Sequence, residues 1–157
     1  MINPALLVDN LVSLLREIED LVVEVGGDPE RIFAYHDQYP KRASIAAAIT
    51  DMPAPGIMVA WQGTGPGAMG GFEVWKHHIT LYLRARETFD GHAPTAYYRL
   101  FRLITMGVPP SSGAAMIYTA VHPNCYPMDL PAMQRTQDVE GLDYFEIPMS
   151  FTEVGND

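Results

Sequence analysis

A chain of 157 residues, 48% hydrophobic and 18% charged, has the size and balance of one globular domain that can bury a core without disulfide or metal staples. Its formal net charge of -9, from 19 Asp plus Glu against 10 Lys plus Arg, argues against nonspecific binding to DNA phosphates, which needs clustered Lys and Arg to displace counterions. The single cysteine, Cys125, excludes an intramolecular disulfide framework; with no signal-peptide pattern and no apolar run near the ~20 residues of a membrane span, a soluble protein made and used without export is expected.

Asn3 as N-cap, Pro4 at the first helical position and Gly26-Gly27 as a stop predict a helix over Pro4 to Val25. Leu7, Leu11, Leu14, Ile18, Leu21 and Val25 recur at helical spacing, and Val8, Val12, Leu15 and Val22 widen the apolar face. So wide a face fits a helix sunk on its own sheet, or one that also touches a neighbouring subunit. Arg16 and Asp20 are spaced to pair on the wet side.

Arg31 to His36 reads as a strand of weak alternation, and alanine-rich Arg42 to Thr50 as a short helix before the Pro53-Ala54-Pro55-Gly56 break. Ile57 to Trp61 is a strand with Ile57, Val59 and Trp61 on one face. Gln62 to Gly71 (QGTGPGAMGG) joins two strands as a Gly-rich hairpin arm. It lacks the lysine and following helix of a phosphate-binding loop. It is either an exposed, mobile tip or an arm that orders when another subunit docks.

Phe72 to Arg86 (FEVWKHHITLYLRAR) is the long central strand. Alternation puts Trp75, His77, Ile79, Leu81, Leu83 and Ala85 on an apolar core face and Lys76, His78, Thr80, Tyr82, Arg84 and Arg86 on a basic one. Thr95 to Met106 is an amphipathic helix with Ala93, Tyr97, Leu100, Phe101 and Ile104 inward and Arg99 and Arg102 in solvent. Met116 to Val121 is a strand, Pro123 to Pro131 a proline-broken connection, and Ala132 to Asp138 with Leu142 to Val154 a pair of strands turning at Glu140-Gly141. Pro148 has no N–H to give a ladder, so one side of the last strand belongs at an edge or a bulge.

No catalytic, cofactor or metal set is assembled by these residues. His77 and His78 point to opposite faces of a strand, His122 and Cys125 lack further metal ligands, and neither they nor Asp143 and Glu146 make a recognisable catalytic pair. The basic face is a solvated sheet surface or, in a self-assembling protein, a stripe that meets an acidic neighbour and sets register.

The order of elements, the strand ending in LYLRARE, the helix TAYYRLFRLI and the closing GLDYFEIPMSFTEVG together resemble the tail terminator, or tail completion, proteins of long-tailed bacteriophages and prophages. The resemblance covers most of the chain and involves no catalytic residues. It implies a structural virion protein, assembled in the host cytoplasm, whose small subunits form a hexameric ring. The ring caps the tail tube, joins it to the neck and lets DNA pass without specific binding. Its partners are then further copies of itself, the tube protein and a neck or head-closure protein, with no membrane, no cofactor and no enzymatic activity. The ring or tube contacts implied are Lys76, His78, Arg84 and Arg86, the glycines Gly63, Gly65, Gly67, Gly70 and Gly71, and Pro148. The fold expected is α+β: one domain over residues 1–157, a mixed or antiparallel sheet packed with the two helices, and the 62–71 arm. A head-closure or connector protein, a minor capsid adaptor and a small-molecule-binding or hydrolase domain are the other readings.

Overall fold

A computed structural model of the chain describes residues 1–39, 44–69, 71–85, 93–106, 121–127, 134–139 and 142–154. Helix α1 (Pro4–Arg16) starts as the sequence dictates: the Asn3 side chain accepts the Ala5 amide at 3.0 Å, and Pro4 opens the first turn with no N–H to leave unpaired. The single helix expected to Val25 is two, because the axis breaks at Glu17 and Ile18 before α2 (Glu19–Glu24). The break accommodates the wide apolar set: Leu7, Val8, Leu11, Val12 and Leu15 before it, and Ile18, Leu21 and Val25 around and after it, are buried in one core. Arg16, expected to pair with Asp20, donates from Nε to the carbonyls of Pro29 and Ile32 at 3.0 and 2.8 Å.

Strand β1 (Ile32–Ala34) is shorter than expected, and the chain turns directly into the one-turn α3 (Tyr35–Gln38). All three residues of β1 are buried, so both its faces are covered and no alternation exists to be read. Ser44 caps α4 (Ile45–Asp51), its hydroxyl accepting the Ala47 amide at 3.0 Å. The Ala54–Pro55 peptide is cis. Strands β2 (Gly56–Met69) and β3 (Phe72–Arg84) then form one long antiparallel hairpin, in register from Gly56 opposite Arg84 to Met69 opposite Phe72.

In α5 (Ala93–Met106), Tyr97, Leu100 and Ile104 are buried and Phe101 packs against them as the spacing predicts; the Ala93 side chain lies outside the described residues. Arg99 and Arg102 are exposed. Of the expected strand at Met116 to Val121 only Val121 is described, and it is buried. The segment read as a proline-broken connection contains a short strand, β4 (Cys125–Pro127). β5 (Gln134–Val139) and β6 (Leu142–Glu153) follow the predicted pair, with the Glu140-Gly141 turn outside the described residues.

The sheet runs β1-β2-β3-β6-β4, with β5 also on β6; β1 is parallel to β2 and every other pairing is antiparallel. β6 is therefore interior, with β3 along one side and β5 and β4 sharing the other. Among the described residues Pro148 lies in the interval between them: β5 pairs no further than Glu146 and β4 begins at Phe151. An interval without a described neighbour suits a residue that has no N–H to give.

One face of the sheet carries the larger core, built from α1, α2, α5 and residues such as Ile57, Val59, Ile79, Leu81, Ile147 and Phe151. The opposite face carries a smaller one, where Ala48, Ile49 and Met52 pack on Phe33, Met58, Ala60, Tyr82 and Tyr144. The protein is a single α+β domain with a mixed sheet. Among the described residues no helix is long and apolar enough to cross a membrane.

Candidate functional site

The hairpin outruns the rest of the sheet. β1 accompanies β2 only over Ile57 to Val59, and β6 accompanies β3 only from Leu83 to Trp75. The last residues, Gly67 to Met69 and Phe72 to Val74, pair among the described residues only with each other. Gln62 to Gly71, predicted as a loop that is mobile or orders on docking, thus forms in the single chain a regular ladder to Met69. Gly71, at φ +87°, supplies the turn conformation that a residue with a Cβ rarely adopts.

A bulge between Trp61 and Gly63 sets the faces of this arm, and Gly63 accommodates it at φ +150°. Beyond it Gly63 lies opposite His78 and Gly65 opposite Lys76, with Gly67 next on the same side. Pro148, opposite Thr80, shares that face. The structure therefore brings together Lys76, His78, Gly63, Gly65, Gly67 and Pro148. His78 and Pro148 are exposed, and the Lys76 stem lies so close over Gly67 that a Cβ there would meet its Cγ at 3.1 Å. Thr152, opposite Lys76, is buried, and its Oγ1 has no hydrogen-bond partner among the described residues.

Arg84 does not join this group. It is 9% exposed, beneath α4, and its guanidinium donates to the Met52 carbonyl at 2.8 Å and the Ile49 carbonyl at 3.5 Å. These are carbonyls at the end of α4, where a helix has acceptors to spare and favours a cation. The basic face expected along the whole strand thus exists only on the arm; farther along, Tyr82 and Arg84 are interior. Tyr82 marks the boundary: burial, then the Glu146 charge, pushes its phenol up to about 12, and Gln62 donates to its oxygen at 2.6 Å. Arg86 and Gly70 lie outside the described residues.

Trp75 also differs from expectation. Predicted in the core, it is 43% exposed, opposite Pro66 on the arm. Trp61, at 48%, is on the same side of the hairpin, so both tryptophans of the chain lie half in solvent at the base of the arm. Its outer edge is blunted by the bulge and by Pro66, the devices that keep an edge strand from accepting another.

A hydrogen-bonded chain pins the base. The Trp61 Nε1 donates to Thr64 Oγ1 at 2.9 Å; Thr64 Oγ1 lies 2.8 Å from Nδ1 of fully buried His77, and His77 Nε2 lies 2.8 Å from Glu153 Oε2. The Ile2 amide meets both oxygens of that carboxylate at 3.1 and 3.0 Å, and the Met1 amine stands 3.7 Å away. A carboxylate only accepts, so Nε2 carries a proton toward Glu153. Burial works to raise the Glu153 carboxyl, but the Ile2 amide, His77 and the amine together hold it below its ordinary value. Hydroxyl, imidazole and carboxylate stand in the order of a nucleophilic triad, yet the hydroxyl already receives the Trp61 N–H and the imidazole is sealed from solvent. The arrangement braces the arm against β6 and the start of α1. Cys125 beside it is a poor nucleophile: burial and the Glu153 charge push its thiol up to about 11. His122 is engaged separately, its Nδ1 accepting the Asn124 amide at 3.0 Å.

Next to Trp61 opens a cleft of about 570 Å³, lined by Asn3, Pro4, Tyr35, His36, Tyr39 and Trp61. Tyr35 and Tyr39 are stacked with centroids 5.9 Å apart. Burial and the Asp51 carboxylate, which accepts its hydroxyl, raise the Tyr39 phenol above its usual value. Behind the lining, His36 Nε2 lies 3.0 Å from Asp9 and 3.4 Å from Asp37, an exposed group of three potential ligand atoms.

Sequence reasoning missed the cleft, the brace and the exposed tryptophans. The bulge hides the tryptophan face, since plain alternation puts Trp61 with Gly63 and Gly65. His36 is separated from Asp9 by 27 residues. No family model and no curated protein matches the chain.

Proposed function

We propose that this chain is the ring-forming structural subunit of a phage tail terminator, capping the tail tube and joining it to the neck without a catalytic step. The observation that carries the reading is the hairpin arm: a two-stranded projection already paired in one subunit, with half-exposed Trp75 at its base and Lys76 and His78 on its other face. Aromatic residues with free surface are the usual anchors of protein contacts, and a blunted edge directs such contacts to the faces. The charge supports the same reading, since a lumen that lets DNA slide gains from an acidic chain with few phosphate-binding cations. The resemblance of the DYFEIPMSFTE ending and of the element order, given above, supplies the tail assignment.

Light scattering and negative-stain imaging of the purified protein, alone and with isolated tail tubes, test it. The expected outcome is closed rings of about six copies, seen free or seated on tube ends. A chain that stays monomeric at high micromolar concentration and leaves tube ends bare sinks the reading.

A further inference from the structure

We infer that the cleft beside Trp61 is a cation-binding pocket that takes the guanidinium or ammonium side chain of a partner protein. Three aromatic rings line it, and ring faces attract cations through their quadrupole. These rings are fixed before any ligand arrives: Trp61 through Thr64, Tyr39 through Asp51, and Tyr35 by its stacking on Tyr39. Three carboxylates back the lining, Asp9 and Asp37 on His36 and Asp51 on Tyr39. Two of them face a single imidazole, so that group keeps a net negative charge in either protonation state of the ring.

The start of α1, which borders the cleft, does not reverse this polarity. Pro4 has no N–H, the Ala5 amide is taken by the Asn3 side chain and the Leu6 amide by the Asn3 carbonyl, leaving the first turn little to offer an anion. The described cation near Tyr39, Arg84, is buried and committed to the carbonyls of α4. The volume holds a long side chain with the backbone that carries it, more than a bare ammonium ion requires. An arginine or lysine on a protein surface is therefore the occupant, by charge complementarity with a chain of net charge -9. This assignment is independent of the ring reading.

The test uses the full chain with Trp75→Phe, which leaves Trp61 as its only tryptophan. The probes are a short neutral-capped peptide of glycine and arginine, the same peptide with citrulline for arginine, and tetramethylammonium. The expected result is saturable change in Trp61 fluorescence with the arginine peptide and binding at least about tenfold weaker with citrulline, a ratio equal to the loss of one favourable charge contact. Asp9→Asn and Asp37→Asn, both at exposed positions, are each expected to weaken the arginine peptide several-fold, with circular dichroism unchanged. Equal binding of the citrulline peptide, indifference to both aspartate variants, or silence of Trp61 up to millimolar arginine peptide overturns the proposal. Tetramethylammonium binding with no response to the arginine peptide overturns the protein-partner assignment in favour of a small quaternary amine.

Discussion

The same two strands live in two environments. From Gly56 to Ala60 and from Ile79 to Arg84 the hairpin is covered on both faces, by the main core beneath and by α4 above. From Gln62 to His78 only Val74 and His77 are interior among the described residues, and the residues change accordingly from Ile57, Met58, Val59 and Leu81 to Gly63, Gly65, Pro66 and Trp75. In the first half the side chains are packed; in the second most stand at least partly in solvent. Arg84 and Lys76 show it most directly: two cations on one face of one strand, the first spent on capping a helix and the second laid over a glycine.

The largest effect separates the halves by stability. Leu81→Ala removes a fully buried side chain and is expected to cost about 3 kcal/mol, whereas Trp75→Ala on the arm is expected to cost roughly 1 kcal/mol despite the larger truncation. Urea denaturation of the two variants measures both. Equal losses erase the distinction between body and arm.

Arg84→Met comes next. Its methionine fills the stem's volume but leaves the Met52 and Ile49 carbonyls without their donor, so about 2 kcal/mol is expected to be lost, against no more than about 0.5 kcal/mol for Lys76→Met. The same denaturation curves decide it, and an Arg84 variant as stable as the Lys76 variant contradicts the interior role.

Acid sharpens the comparison at the junction of the two halves. Glu153 has its carboxyl held below the ordinary 4.5 in the folded state, so the folded protein binds fewer protons there than the unfolded chain. Its contribution is present above about pH 4.5 and is lost as pH falls through the lowered value. Replacing Glu153 with Gln is expected to flatten the fall in stability between about pH 5 and 3, read by thermal melts across that window. An unchanged slope removes the brace from the account.

The sequence predicted the body far better than the arm, for reasons visible in particular residues. Buried helical stripes such as Tyr97, Leu100 and Ile104 repeat a period that burial itself imposes, so the residue spacing carries the answer. Ile147, Met149 and Phe151 likewise alternate along β6 and lie in the core, and Pro148, which has no N–H, falls where no described strand pairs on that side. The basic face failed at Arg84 because alternation says which side a residue takes, not how far along the strand a covering helix extends. On the arm, one extra residue in the bulge exchanges the faces, and nothing in the letters Gln62-Gly63 fixes where that residue sits. The Trp61 cleft needed residues near positions 3, 36 and 61 brought together by the β1–β2 pairing, which no local pattern encodes.

The smallest effect on stability is the one that bears most on function. Replacing both Lys76 and His78 with Ser removes the cation and the imidazole from the polar face of the arm while leaving the ladder to Gly65 and Gly63 intact. Neither side chain is in the core, so unfolding free energy is expected to stay within about 0.5 kcal/mol of the parent. If that face meets an acidic neighbour, the same variant loses rings at a given protein concentration, and raising salt weakens the parent's rings in the same direction. Light scattering across a concentration series reads both. Rings that persist in the variant at parental strength, with stability unchanged, remove the polar face from the interface and leave the tryptophan face of the arm, with Trp75→Ala as the variant that must then break assembly.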